Sequence, residues 1–421
     1  MRALSILRSS AIFVLFLLSA CGAPEESLES SEITAGIAMR EEVVGMQILD
    51  DPFIWLEEVE SDDALAWAAE QNALSIPKLQ GDPRFETIRS EIEAVLTSED
   101  RIPSGSLVNG NVYNFWQDKD HIRGILRRTS LKSYAGDSTQ WETVLDIDEL
   151  ATIESANWVY KGRTCLPSNP SRCLIHLSDG GKDAVSIREF DLDQANFIDG
   201  GFFVGEAKTN IDWVDANTLL VGSDFGDGSL TTSGYARTLR LWRRGTALEN
   251  AEQIIEVGVE DMSVGTFTII GEDSDFSFIV RRPDFFTEET WLMTEQGIIA
   301  KLPLQIDANF QGVLGQRVLV LLRSDWTLDD GETYAAGSLV SLDLAGSITA
   351  QAPVGISTVL NPRTDDQLDA ISGVGITGDS VYITALKDVA GMLLRVRPDE
   401  DGWEVTRIEL PENGDIRIIS T

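Results

Sequence analysis

The chain contains two histidines, so any reaction that needs an imidazole must use His121 or His176. An imidazole can activate a serine or cysteine nucleophile, or it can bind a metal. Each of the two lies in a candidate strand or at a strand end, where local hydrogen bonds commonly satisfy a histidine. We therefore interpret both as structural residues.

Cysteine offers a second kind of chemistry, and two cysteines lie close together in the stretch TCLPSNPSRC, at Cys165 and Cys173. Pro167 and Pro170 between them suit a hairpin whose two arms return side by side. In an oxidising compartment this predicts a disulfide that staples the loop, with two free thiols as the alternative. The spacing is not that of a redox CxxC motif, and a zinc ligand set is lacking.

Two polar stretches are candidate binding sites. SDFGDGS, from Ser223, faintly resembles a cation loop but lacks the ligand spacing and closing glutamate of an EF-hand, so a turn is favoured. LWRRG, from Leu241 to Gly245, could bind a peptide carboxylate, but an internal salt bridge is the interpretation that we prefer. We predict no metal site and no cofactor, and the substrate-binding residues stay unassigned.

The net charge of −36 argues against nucleic acid as a partner and against docking to anionic lipid. It predicts a solvated acidic surface; a cationic partner is the alternative, and nothing localises one. Hydrophobic residues make up 43% of the chain, which is enough for a large core.

Residues 1–20 have the pattern of a signal peptide, with Arg2 and Arg8 before an apolar run from Ala11 to Leu18. The following Cys21 makes the segment resemble a bacterial lipobox, in which this cysteine becomes lipidated. We therefore expect a periplasm-facing or outer-membrane lipoprotein of a Gram-negative-type bacterium, attached to the membrane only through its lipid. An ordinary secretory signal cut nearby is the alternative. Residues 21–48 read as a flexible tether.

Two helices are predicted within residues 49–100. Ser61 can cap the first, and Asp82 can cap the second with Pro83 at its first helical position. From about residue 102 the pattern changes to short strands separated by turns. VNGNVYNFW, DANTLLVGS, LGQRVLVLL and TGDSVYITA each predict a tight turn that leads into a strand.

These strands repeat about every 50 residues, which is typical of four-stranded propeller blades. We predict an all-β fold for residues 101–421, a β-propeller with about six blades and a partial seventh. The candidate first strands of the blades begin near Ser106, Ala156, Ile211, Thr266, Phe310, Ile371 and Ile416.

Three stretches resemble the prolyl oligopeptidase family of serine peptidases. They are DPFIWLEEVESDDALAWAAEQN from Asp51, CLIHLSDGGKDAVSIREFDL from Cys173, and LLVGSDFGDGSLTTSGYARTLRLWRRG from Leu219. Phe53 replaces a tyrosine of the family pattern, and Ala236 stands where a proline is frequent. The resemblance implies a seven-bladed propeller beside an α/β-hydrolase domain, and implies that the helices of residues 49–100 contact that domain.

The hydrolase domain itself is expected to be absent, because its G-x-S-x-G elbow does not occur in the sequence. GISTV at Gly355 lacks the second glycine, and TTSGY around Ser233 lacks the first. The family's serine, aspartate and histidine therefore cannot be carried over, and we assign no catalytic residue.

The resulting hypothesis is the non-catalytic N-terminal and propeller portion of a peptidase that hydrolyses short peptides after proline. It is expected to be inactive alone and to come from a truncated or split reading frame. Its partners would be short peptides and a separately encoded hydrolase domain. The alternative is a peptide-binding or scaffolding propeller lipoprotein without peptidase activity.

Overall fold

The structure, a computed structural model, describes residues 51–98, 100–271, 275–293, 297, 299–365, 368–400, 402–411 and 414–419. The predicted signal peptide, the predicted tether and Cys21, the predicted lipidation site, lie outside the described residues. The chain falls into two compact units, the first ending at Ser90 and the second beginning at Glu91. Across the described residues, every helix is too short or too polar to pass through a bilayer.

Helices dominate the first described part of the chain. A 3-10 helix, Ile54–Glu57, precedes α1, Asp62–Gln80, and α2 follows at Phe85–Leu96. Ser61 caps α1 as predicted, since its hydroxyl accepts a hydrogen bond from the N–H of Ala64. The α2 helix begins at Phe85 and not at Pro83, because the Asp82 carboxylate accepts from the N–H of Arg84 and holds this stretch as a turn.

From Ser106 onward the described chain forms six consecutive antiparallel sheets, the blades of a propeller. Three short helices accompany them, α3 at Leu131–Tyr134, α4 at Ile147–Glu154 and α5 at Leu344–Ala350.

Blades 1 to 3 contain thirteen strands. Blade 1 consists of β1 Ser106–Val108, β2 Asn111–Trp116, β3 Ile125–Ser130 and β4 Glu142–Asp146. Blade 2 consists of β5 Trp158–Leu166, β6 Asn169–Asp179, β7 Val185–Asp191, β8 Asn196–Phe197 and β9 Phe203–Ala207. Blade 3 consists of β10 Asn210–Asp215, β11 Thr218–Gly222, β12 Thr238–Arg243 and β13 Glu252–Glu256.

Blades 4 to 6 contain fourteen strands. Blade 4 consists of β14 Ser263–Ile269, β15 Phe276–Arg282, β16 Glu289–Met293 and β17 Ile299–Lys301. Blade 5 consists of β18 Asn309–Leu314, β19 Arg317–Leu321, β22 Leu339–Asp343 and β23 Ser357–Leu360, with an inserted hairpin of β20 Trp326–Thr327 and β21 Thr333–Tyr334. Blade 6 consists of β24 Ala370–Thr377, β25 Ser380–Lys387, β26 Ala390–Pro398 and β27 Trp403–Ile408.

The first strands of neighbouring blades lie side by side, β5 against β10, β10 against β14, and β18 against β24. They therefore line the middle of the propeller. The predicted turns join first strands to second strands; for example, Asn109 and Gly110 both have positive φ and connect the paired residues Val108 and Asn111.

The sheets of blades 2 to 5 bury both faces against their neighbours, which is why their central strands are continuously apolar. Five buried clusters join blades 1 and 2, 2 and 3, 3 and 4, 4 and 5, and 5 and 6. Trp213 and Trp242 pack between blades 2 and 3, as members of one of these clusters. Among the described residues, none of the five clusters joins blade 6 to blade 1.

The seventh first strand, predicted near Ile416, is not formed within residues 414–419. Ile416 lies beside Gly391 at the start of β26, and Ile418 and Ile419 line a cavity with the far ends of β14, β18 and β24. The segment thus runs in the direction of an inner strand without pairing. A lone strand gains no ladder of hydrogen bonds, so extended chain is the expected outcome here.

Candidate functional site

The two histidines lie in different blades. His121 is in the loop between β2 and β3, where its ring Nδ1 lies 2.9 Å from Asp118 Oδ1. Burial tends to raise the pKa of Asp118, but hydrogen bonds from the His121 N–H and ring, the Asp120 N–H and the Trp116 indole outweigh it and lower that pKa to about 2. The carboxylate thus organises its own loop.

His176 is on β6, and its Nε2 lies 3.0 Å from the hydroxyl of Thr164 on β5. Burial lowers the pKa of His176 to about 4, so the ring is neutral at pH 7. A base for a serine nucleophile needs a carboxylate behind it. Within the described residues, His176 has a hydroxyl partner without a carboxylate, and His121 has a carboxylate partner without a hydroxyl.

The two serines of the incomplete elbow motifs lie in a strand and in a turn. Ser357 begins β23, and its hydroxyl interacts with Ser341 and the indole of Trp403. Ser233 is in a turn before β12. A nucleophile elbow requires a strand that turns directly into a helix, and neither serine has that surrounding.

Cys165 and Cys173 are joined by a disulfide, with their Cα atoms 3.9 Å apart. They are direct cross-strand partners in the β5–β6 hairpin. Cys173 is buried in the cluster between blades 1 and 2. The bridge therefore closes the end of this hairpin inside the core.

The basic cluster LWRRG forms the internal salt bridge that its sequence predicts. Arg244 binds the fully buried Glu189 carboxylate with two hydrogen bonds of 2.8 and 3.0 Å, and Arg172 contacts the same carboxylate. Burial tends to raise the pKa of Glu189, but Arg244, the N–H of Phe202 and Arg172 outweigh it and lower that pKa. Arg243, by contrast, forms an exposed pair with Glu252.

The SDFGDGS stretch forms a turn, as its sequence predicts. Asp224 Oδ1 accepts from the N–H of Gly226 at 2.8 Å, and the hydroxyl of Ser229 accepts from the N–H of Phe225 at 2.8 Å. In the part of the chain that the structure describes, no three acidic, histidine or cysteine side chains are grouped as metal ligands.

One end of the propeller carries the connections from blade to blade and the loops that join second to third strands; we call it the crossover end. Several large apolar side chains are exposed there, at Ile102, Ile122, Phe285, Phe286 and Val389. Phe285 is 84% exposed and Phe286 is 72% exposed. Because Phe285 and Phe286 are adjacent, this pair is the exposed apolar feature that suits an interaction site; single exposed apolar side chains elsewhere are ordinary. Two adjacent phenylalanines directly after Pro283-Asp284 were the available sequence signal, since both cannot face the same core.

A cavity of about 290 Å³ opens at the same end, between blades 2, 3 and 4. We call it the Lys208–Arg282 pocket, after two cations in its lining, which also includes Asp183, Asn210, Tyr235 and Gly265. The Lys208 ammonium lies 4.5 Å from the centre of the Tyr235 ring. Asn210 Oδ1 accepts from the N–H of Thr266 at 2.5 Å and so ties β10 to β14.

Two residues further along β10, the Asp212 carboxylate makes the same kind of link to the N–H of Thr268, at 2.8 Å. Burial raises the pKa of Asp212 to about 6, against the opposing effect of bonds from the N–H groups of Trp213 and Thr268. Sequence reasoning missed both residues. The signal was present in TNIDWVD, where polar residues alternate within an inner strand and so share one face.

The comparisons with known proteins agree with this architecture. The family model described as prolyl oligopeptidase, N-terminal beta-propeller domain, matches residues 37–421. An uncharacterized peptidase of Sinorhizobium fredii is 32% identical over 379 residues, which cover 88% of this chain and 52% of the relative. An uncharacterized peptidase of Rickettsia prowazekii is 29% identical, with 83% and 50% covered.

Among solved structures, a post-proline cleaving enzyme from Rickettsia typhi matches with a TM-score of 0.77 and 28% identity, covering 85% of this chain and 53% of the enzyme. Oligopeptidase B from Leishmania major matches with a TM-score of 0.62 at 12% identity, a likeness of fold alone. The chain thus spans about half the length of the relatives that it matches. Its sequence, its six blades and these matches agree: the chain belongs to the prolyl oligopeptidase family, of which it carries the N-terminal β-propeller domain.

Proposed function

We propose that these 421 residues form the non-catalytic propeller portion of a serine peptidase that cleaves short peptides after proline, and that they do not hydrolyse peptides alone. The observation that carries the proposal is the match to the post-proline cleaving enzyme of Rickettsia typhi over 85% of this chain. The separation of His121 and His176 from any serine–carboxylate pair in the described residues supports it.

The role of the propeller would be to limit access to small peptides. The partner that its crossover end fits is a hydrolase domain, whether in the same polypeptide or another. Phe285 and Phe286 supply apolar contact area there. Considered by themselves, the α1 and α2 helices also carry exposed apolar side chains, at Leu65, Leu74, Leu79, Ile88, Ile92 and Val95.

A fluorogenic peptide with proline before the leaving group tests the first part. The purified protein should give no turnover above buffer, while a full-length family member assayed in parallel should cleave the peptide. Turnover that a serine-directed inhibitor abolishes would show that the chain is itself a peptidase.

Association with a hydrolase domain is tested by replacing Phe285 and Phe286 with serine. The double variant should keep the melting temperature of the parent, because both side chains are exposed, but should lose co-purification with a hydrolase domain from a relative. The matched control replaces Ile270 with serine; Ile270 is 68% exposed but lies on a loop at the opposite end. Equal loss in variant and control would contradict the proposed surface.

We further propose that Cys21 carries a lipid that anchors the protein to the outer membrane of a Gram-negative-type cell. The support is the order of basic residues, apolar run and cysteine in residues 1–21. Metabolic labelling with a fatty acid should mark the protein, and Cys21→Ser should abolish the label. Labelling that survives in the variant, or release of unlabelled protein as after an ordinary secretory signal, would refute this anchor.

A further inference from the structure

We propose that the Lys208–Arg282 pocket binds a peptide carboxylate, either the C-terminus of a peptide or the side chain of an aspartate or glutamate. The inference rests on the proposed function in one respect, since it takes peptides as the ligand class. Its physical basis is the set of hydrogen-bond donors, two cations and a side-chain amide, that line one cavity between blades 2, 3 and 4.

The two cations are the first part of the argument. Among the described residues, neither Lys208 nor Arg282 forms an ion pair with a carboxylate, and the Lys208 ammonium lies beside the face of the Tyr235 ring. Most of the other arginines of these blades are paired, as Arg237, Arg244 and Arg281 are. In a protein of net charge −36, two cations without a carboxylate partner in one cavity are a local exception that favours an anionic ligand.

Neutral groups of the pocket add hydrogen-bonding capacity and space. Because Asn210 uses its Oδ1 to accept from Thr266, its side-chain amide group is left as a donor. Gly265 leaves room beside it: a Cβ there would lie 3.1 Å from Asn210 Oδ1 and 3.5 Å from Arg282 Nη1. The glycine therefore keeps open the space that the Asn210 and Arg282 side chains share.

The charge balance indicates which anion fits. Asp183 also lines the cavity, so the two cations and this carboxylate leave about one positive charge, which suits a singly charged carboxylate better than a doubly charged phosphate. The Tyr235 ring and Val264 supply apolar surface for the rest of a residue. The volume of about 290 Å³ is near the lower end of small-ligand sites, roughly 300–1,000 Å³, and fits the end of a peptide.

Calorimetric titration of the purified protein with three tetrapeptides tests the inference directly. The first has a free C-terminus, the second is its C-terminal amide, and the third is an amide that contains one glutamate. We expect the neutral amide to bind at least about tenfold more weakly than a peptide with a carboxylate, because charge-assisted hydrogen bonds are lost. Whichever of the other two binds more tightly identifies the source of the carboxylate.

Variants then locate the site. Lys208→Met and Arg282→Met should each weaken binding of the preferred peptide about tenfold or more, whereas Lys132→Met and Arg363→Met, which remove equal charge elsewhere, should not. Gly265→Ala should weaken binding at unchanged net charge, because the added Cβ displaces Asn210. Circular dichroism melts verify that each variant is folded.

Equal affinity for the free acid and both amides would overturn the inference, as would no binding of any carboxylate peptide at millimolar concentration. Tighter binding of inorganic phosphate than of the peptides would assign the pocket to a different anion. Mass spectrometry of the titrated peptides separates the two proposals: cleavage would refute the proposed function without affecting the pocket, and absent binding would refute the pocket alone.

Discussion

The buried carboxylate of Glu189 links blade 2 to blade 3. Its side chain is fully buried, and it is held by Arg172 from its own blade and by Arg244 from blade 3. Desolvating a carboxylate costs several kcal/mol unless hydrogen-bonded cations compensate. The two guanidinium groups therefore make the contact between blades 2 and 3 dependent on a matched set of charges.

We predict that Arg244→Met lowers the free energy of unfolding by about 3 kcal/mol, because it leaves Glu189 buried with one cation fewer. The neighbouring change Arg243→Met is the control, since its pair with Glu252 is exposed and should contribute less than about 1 kcal/mol. Urea denaturation of both variants checks the prediction. Equal losses of unfolding free energy in the two variants would mean that the burial of Glu189 does not determine the cost of removing Arg244.

Asp212 is a second buried carboxylate, and we expect its charge to lower the stability of the folded protein at neutral pH. Burial raises its pKa to about 6, so the folded state prefers the protonated form and ionisation above pH 6 opposes folding. The Asp212 contribution is thus favourable below the ordinary pKa of 3.8 and is lost as the pH rises through 6.

We expect Asp212→Asn to stabilise the protein at pH 7 by at most about 2–3 kcal/mol, because asparagine carries no charge. Its single oxygen can accept from the N–H of Thr268 or of Trp213 but not from both, and the lost bond subtracts from the gain. At pH 4 the gain should almost vanish. Denaturation curves at the two pH values provide the measurement, and a gain that did not depend on pH would contradict the assigned cause.

At the scale of the element, the β5–β6 hairpin is held by both a ladder and a covalent bridge. The disulfide of Cys165 and Cys173 closes a short loop, eight residues apart in sequence. Chain-entropy arguments assign about 2 kcal/mol to such a closure, because the unfolded chain regains little freedom from a short loop.

The double variant Cys165→Ala and Cys173→Ala should therefore fold and lose about 2 kcal/mol of stability. Reducing agent should destabilise the parent by a similar amount and leave the variant unchanged, which is the internal control. Failure of the variant to fold would show that the hairpin ladder cannot form without the bridge.

Other elements were more predictable from sequence. The turns at Asn109-Gly110 and at Gly378-Asp379 were recognised because few residue pairs accept the backbone of a two-residue hairpin. The start of α2 was less predictable, because the bond from the N–H of Arg84 to the Asp82 carboxylate holds a turn before the first helical residue, Phe85.

At the scale of the whole molecule, repulsion among the negative charges of this acidic chain opposes folding. The net charge of −36 places many carboxylates within a Debye length of one another on the folded surface. Self-repulsion of this kind favours expanded states over compact ones.

We predict that the melting temperature of the protein rises as sodium chloride increases from low concentration to about 0.5 M, because screening weakens the repulsion. Sucrose at equal osmolality is the control for effects that are not ionic. A melting temperature that falls with salt would mean that favourable ion pairs outweigh the net repulsion.

Much of this protein was determined by its sequence alone, because hairpin turns and runs of alternating or continuous apolar residues are local features with a fixed period. They were sufficient to predict an all-β propeller, its repeat of about 50 residues and the starts of its first six inner strands. The family resemblance was detectable for the same reason, because it lies in continuous stretches such as the one that begins at Asp51.

Only the tertiary structure brought Lys208, Asn210 and Arg282 together around one cavity, and only it placed Arg244 against Glu189, which is 55 residues away. Their juxtaposition depends on how consecutive blades stack. The exposure of Phe285 and Phe286 was decided in the same way, by which loops meet at the crossover end. Contacts between blades join residues that are far apart in the chain, and no local sequence pattern indicates which of these residues will lie close together in space.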